Sequence, residues 1–337
     1  MSSQCEYDRI FNLNFMFLSY CEQNNIEKVK FYLNLGANVN SKLNYYSALY
    51  FAVKNNSEEL LEVILSQPGV DVNIRCTRGN TPLIDACRRG NVNIVRRLCQ
   101  VREINPNITT SRFRETALSY AIYRNEIECV KILSTLTHIP VDWNIRNIFG
   151  EYPIIMSLKY SEIEIFQILL SAPGIDLSVT DDIGRSIAYI AVQQYDKRVV
   201  EILSKDNRVN WNIKDHTGDT PLMHCLAFEK IEIAQCLINI PGIDLNTTDK
   251  FGNYLEDIAL KSEYEKLISF TQPRLRIIKK QSLKSRQSSI MPSLLSISKD
   301  VLLISLITNN KQEIHMKSLV DQLKSKIPKC IIEFLLI

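Results

Sequence analysis

The chain lacks the short signatures with which enzymes cradle phosphates or hold catalytic metals: it has no G-x-G-x-x-G, no P-loop and no H-E-x-x-H. Histidine is scarce, and His138, His216, His224 and His315 lie too far apart in sequence to suggest a shared metal site. No acid pair is placed for general acid–base work, and Asp181-Asp182 reads as a turn former. No residue set for catalysis is left, so the expectation is a non-enzymatic protein without cofactor or metal. Nine cysteines are present, but there is no C-x-x-C pair. Most of them fall at apolar helical positions, which reads as buried, reduced thiols. No apolar run approaches the roughly 20 residues needed to cross a bilayer, and Met1-Ser2-Ser3-Gln4-Cys5 does not open a secretory leader. A cytoplasmic protein is expected.

Positive charge is in small excess overall, but it is unevenly placed. The formal net charge is +3, with six cations and no acid in residues 271–290 and six lysines against four acids in 291–337. Residues 1–270 therefore carry −5. A nucleic-acid binder shows the opposite distribution, with its basic charge on the folded face, so neither nucleic acid nor membrane is expected as a partner.

What the chain does contain is a repeat. Its clearest copy runs from Asp215-His216-Thr217-Gly218-Asp219-Thr220-Pro221-Leu222 through Ile231–Ile238 to Pro241-Gly242-Ile243-Asp244-Leu245-Asn246. Gly218 is free to take a positive φ in a turn. Thr220 is placed to cap a helix, with Pro221 at its first position. Apolar residues at Leu222, Cys225, Leu226, Ile233, Leu237 and Ile238 then follow helical spacing. The Thr220 position recurs at Phe15, Ser47, Thr81, Thr116, Tyr152, Ser186 and Tyr254, in steps of 32–36 residues. Glycine precedes it by two at Gly79, Gly150, Gly184, Gly218 and Gly252, while Arg114 takes that place in the fourth copy, whose turn should differ in shape.

Eight such units in register resemble the ankyrin-repeat family over residues 11–270. The resemblance implies an all-α solenoid of helix pairs with β-hairpin fingers, degenerate terminal repeats acting as caps, and a protein partner bound on the concave face and finger tips. Phe15, Phe17, Leu18, Val29, Tyr32 and Leu33 should cover the open end, after a disordered lead over 1–10. The tips should present Arg78, Arg112, Phe113, Ile148, Phe149, Ile183, His216, Lys250 and Phe251. Phe113, Phe149 and Phe251 sit at equivalent positions and either form an aromatic strip or pack each on its neighbouring finger.

After Phe270 the pattern changes. Residues 271–290 form a basic, serine-containing linker, read either as a solvated connector or as a patch for nuclear import or regulation. Residues 291–337 read as three short helices, too small to be stable alone. Ser293, Leu294, Ser298 and Leu302, followed by Ile327, Pro328, Ile331, Phe334 and Leu335, resemble a SOCS box, the element that follows the repeats in ankyrin-and-SOCS-box proteins. That resemblance implies that the first four residues bind elongin B/C and the last five a cullin. A bundle capping the stack and an F-box-like end are the other readings; the Ser293–Leu302 pattern favours the SOCS box. The function expected is that of a substrate-recruiting adaptor of a ubiquitin ligase, with a plain ankyrin scaffold as the alternative.

Overall fold

The computed structural model describes residues 3–255 and 258, except 77, 161 and 195, with side chains from residue 10 onward. The chain divides into Met1–Ile268 and Ser269–Ile337, and every described residue belongs to the first unit. The basic linker, the helical box and all nine of its elongin- and cullin-binding candidates lie outside the described residues.

Among the described residues, fourteen helices form seven consecutive pairs. Helices α1 (Ser3–Glu22) and α2 (Ile26–Asn34) open the stack. A two-stranded hairpin, β1 (Lys42–Leu43) and β2 (Tyr46–Ser47), leads into α3 (Ala48–Lys54) and α4 (Glu58–Leu65). The pairs α5 (Pro82–Arg89) and α6 (Val92–Cys99), α7 (Ala117–Tyr123) and α8 (Ile127–Ser134), and α9 (Pro153–Tyr160) and α10 (Ile163–Leu170) follow. The last are α11 (Ile187–Gln193) and α12 (Lys197–Leu203), then α13 (Pro221–Ala227) and α14 (Ile231–Ile238). The first helices pack on one another from α1 through α3, α5, α7, α9 and α11 to α13, making one layer. Second helices make the other, as in α2 on α4, α6 on α8 and α12 on α14. Each helix thus buries a face against its pair-mate and its neighbours, and one apolar cluster runs from Phe17 to Leu255.

The helix starts follow from the aligned hydroxyls. Ser47, Thr81, Thr116, Ser186 and Thr220 are extended N-caps whose oxygens accept from the N–H three residues on. Each satisfies a donor that the first turn would otherwise leave orphaned. Phe15 departs from this alignment. It lies inside the 20-residue α1, which is helical from Ser3 instead of beginning after a disordered lead. Of the residues expected to cover the open end, Phe17, Leu18 and Val29 are fully buried, whereas Phe15 remains exposed.

An asparagine ladder joins the repeats along their exits. The Asn40 side-chain N–H donates to the Gly69 carbonyl at 2.8 Å while its Oδ1 accepts from Asp71 N at 2.8 Å. Asn73, Asn107, Asn144 and Asn212 repeat this two-way clamp on the next exit. The rung is missing at Ser178, whose hydroxyl turns back to Asp176 at 2.6 Å. By register an asparagine there would meet the Arg208 carbonyl and Asn210 N–H. Ser178→Asn is expected to raise stability by about 1 kcal/mol, near the net worth of one hydrogen bond. A higher urea midpoint at unchanged slope would show it; an unchanged midpoint would count against the register.

Candidate protein-binding surface

Between one helix pair and the next, the chain makes a finger, and side chains dictate its bend. Asp181 Oδ1 accepts from the N–H of Ile183 at 3.2 Å and of Arg185 at 2.9 Å. Asn147, Asp215 and Asp249 do the same for the residues two and four places on. This is the local capture expected of Asx side chains at turns. In the second repeat the role falls to Asn44 and Tyr45, both at positive φ (49° and 71°), as a two-residue hairpin of this twist requires. The fourth finger differs as its sequence implied. Its ring closes from Thr110 N to Glu115 O at 2.8 Å, one residue wider than the Asn147-to-Glu151 closure. Arg114 adopts φ 54° where the third finger and those from the fifth on use glycine.

Fingers bond edge to edge, from Ser111 N to Arg78 O, Ile148 N to Phe113 O and His216 N to Ile183 O. The tips of fingers three to five, and of six with seven, are therefore held side by side. Phe113 and Phe149 stack, with ring centroids 5.9 Å apart, and the Arg112 guanidinium lies 4.8 Å over Phe113. The two aromatic readings are thus both met here: each ring packs on its neighbour, yet Phe149 stays 57% exposed. The row then passes through exposed Ile183 and reaches Phe251, 78% exposed beneath Lys250 Nζ at 5.0 Å. Thr217 stands at the intervening equivalent position, so the aromatic strip is confined to two adjacent fingers. Ile148 is also half exposed, and Arg78 and Arg112 face solvent.

Below the tips, the first helices add residues that sequence reading missed. Tyr123 ends α7 and Tyr160 ends α9; their rings meet edge to face at 5.5 Å, Tyr123 58% and Tyr160 42% exposed. The Tyr160 hydroxyl donates to Glu151 Oε1 at 3.0 Å, beside Lys159 Nζ on the same oxygen at 3.0 Å. Burial first, then this carboxylate, pushes the Tyr160 phenol up to about 12, so it acts as a donor at all ordinary pH. Asn147 donates to Glu115 Oε1 at 3.0 Å, and burial raises the Glu115 carboxyl above its usual range. Polar anchoring fixes the Tyr160 ring, and Tyr123 packs against it. Phe228, at the end of α13, is likewise 56% exposed. The signal was available in sequence as aromatic residues seven or eight places after the caps, where a helix end facing water is usually polar.

His224 of α13 is buried, with Nδ1 3.0 Å from the Tyr189 hydroxyl, and its Nε2 is among the buried atoms without a hydrogen-bond partner. Burial depresses its pKa below the ordinary 6.5. Below pH 6.5 the unfolded chain therefore binds a proton that the folded chain refuses, so stability is held above that pH and lost as pH falls through it. His224→Gln is expected to flatten this segment of the pH–stability curve. An unchanged slope just below pH 6.5 would contradict the assignment.

Stacked helix pairs with projecting fingers, capped by Thr-Pro and joined by asparagines, define a repeat solenoid whose chemistry is that of a binding scaffold. The chain belongs to the ankyrin-repeat family, whose model, described as ankyrin repeats in three copies, matches residues 15–110, 49–147 and 154–249. It is similar to human transient receptor potential cation channel subfamily A member 1, 26% identical over 243 residues, covering 68% of this chain and 21% of that protein. A shorter stretch is 37% identical over 109 residues to human SMC5-SMC6 complex localization factor protein 1, covering 32% of this chain and 10% of that one. Putative ankyrin repeat protein L371 of Acanthamoeba polyphaga mimivirus is 24% identical over 223 residues, covering 64% and 28%. The chain thus spans between about a tenth and about a quarter of the length of these relatives. The crystal structure of the ankyrin repeat protein EF0377 shares the fold at a TM-score of 0.51 and 22% identity, covering 57% of this chain and 96% of that one. Among the described residues no helix is long and apolar enough to cross a membrane, and no cluster of His, Cys, Asp or Glu is arranged to hold a metal ion.

Proposed function

We propose that this protein is an adaptor whose ankyrin stack recruits a protein partner on the face made by finger tips and first helices. The observation that carries the reading is the run of exposed, anchored aromatics across adjacent repeats: Phe149 on Phe113, Tyr123 on Tyr160. Rigid aromatic rings present large contact area at little entropic cost, which is why they anchor interfaces.

The adaptor half rests on the SOCS-box pattern of Ser293, Leu294, Ser298 and Leu302 with Ile327, Pro328, Ile331, Phe334 and Leu335. In this reading the C-terminal segment docks elongin B/C and a cullin, so that the recruited partner is presented for ubiquitin transfer. A pull-down with recombinant elongin B/C tests it. Capture by the full chain, lost in Leu294→Ala/Ser298→Phe while the stack stays folded, supports the ligase link. No capture by either, or equal capture by both, overturns it and leaves an ankyrin scaffold.

A further inference from the structure

Residues 75–114 contain nine arginines, no lysine and only two acids, inside a repeat region whose net charge is negative. Three of those arginines converge. Arg78 from the third finger, Arg88 from α5 and Arg112 from the fourth finger line a single cavity of 470 Å³, together with Asn80, Ser111 and Tyr120. Arg88 is already committed: its Nη2 reaches Asp85 at 2.9 Å, and Asn80 donates to the same carboxylate at 2.9 Å. Buried Asp85 and Asn80, with half-buried Arg88, thus fix the cavity wall. Arg78 and Arg112 make no ion pair among the described residues, although Arg112 is steadied over the Phe113 ring. The remaining acid nearby, Glu115, is turned toward Asn147.

We propose that this cavity receives a phosphorylated side chain of the protein partner. The proposal rests on the reading of this face as a protein-docking surface and names the chemistry that one part of it selects. Two unpaired guanidiniums match a phosphomonoester dianion in charge. Their planar forks place paired N–H donors on its oxygens, a geometry lysine does not offer. Ser111 supplies a further hydroxyl, and the apolar step formed by Phe113 and Phe149 borders the cavity, so flanking apolar residues of the partner have a place to lie. Three of the nine arginines meet in this one cavity, which favours a single modified side chain.

The test uses degenerate peptide pools with a fixed central phosphoserine, serine or glutamate, passed over the immobilised full chain and over Arg78→Ala/Arg112→Ala and Arg78→Lys/Arg112→Lys. The phosphoserine pool should be retained about tenfold over the serine pool by the natural chain. Retention should vanish in the alanine variant, fall several-fold in the charge-preserving lysine variant and be competed by inorganic phosphate. Both arginines are exposed, so both variants should melt at the temperature of the natural chain. Equal retention of the glutamate pool, undiminished retention by the alanine variant, or arginine-dependent binding to phosphoinositide vesicles in place of the peptides would each overturn the proposal. A serine-pool selection that depends on Tyr123 and Tyr160 reports the docking face itself. If that selection persists without phosphate enrichment, only the cavity assignment falls; if both are absent, the face reading falls with it.

Discussion

Phe166→Ala is expected to lower the unfolding free energy of the stack by about 3–5 kcal/mol, the usual cost of emptying a fully buried aromatic site. Phe166 is fully buried on α10, which packs on both α9 and α8. The site therefore serves the interior of the fifth repeat and its interface with the fourth. A solenoid is held by neighbour contacts alone, so a cavity at the middle also separates the repeats on either side. Urea unfolding should show a lower midpoint and a broadened or split transition. A loss below about 1 kcal/mol would mean that the layers repack freely around the void, against the close packing argued here.

Gly79→Ala is the second large effect. Gly79 has φ +76°, and a Cβ built there would lie 2.6 Å from the Ser111 backbone N. The left-handed backbone alone costs a non-glycine residue about 1–2 kcal/mol. The clash is additional, because the atom struck is main chain and belongs to the next finger. It also threatens the Ser111 N–H bond to the Arg78 carbonyl. Gly174→Ala provides the control: its φ is +75°, but nothing lies within 4 Å of the added Cβ. Gly79→Ala should thus destabilise clearly more than Gly174→Ala and should also distort the arginine-lined cavity. Equal effects would show that the fingers separate at no cost.

Much of this architecture was legible because a repeat states its own alignment. Thr81, Thr116 and Thr220 marked helix starts, and Gly79 and Gly218 marked finger turns, whereas the asparagine ladder joins side chains of one exit to backbone of the next and emerged only from the structure. Legibility failed where one residue type serves two backbones. Phe15 has the right spacing for a cap but no oxygen to accept a hydrogen bond, and the surrounding apolar run continues as one long helix. The surface was harder to read than the stack. Arg112, Phe113 and Phe149 were visible as tips, but the pairing of Tyr123 with Tyr160 and the convergence of Arg78, Arg88 and Arg112 depend on contacts across repeats. Residues 36 or 37 apart in sequence, or a finger and a helix of different units, meet only once the superposition of successive turns is fixed. Spacing from the cap narrows such pairs, but it does not say which way a side chain leaves the helix.

In the proposed function, partners dock on the finger-and-first-helix face. A photo-cross-linking amino acid placed at Tyr123 on that face, and separately at Glu128 on the second-helix layer, tests it most directly. Discrete cross-linked partners from position 123, diminished by Phe149→Ala and absent from position 128, are the predicted result. Equal cross-linking from both positions, or cross-linking from 128 alone, would contradict it.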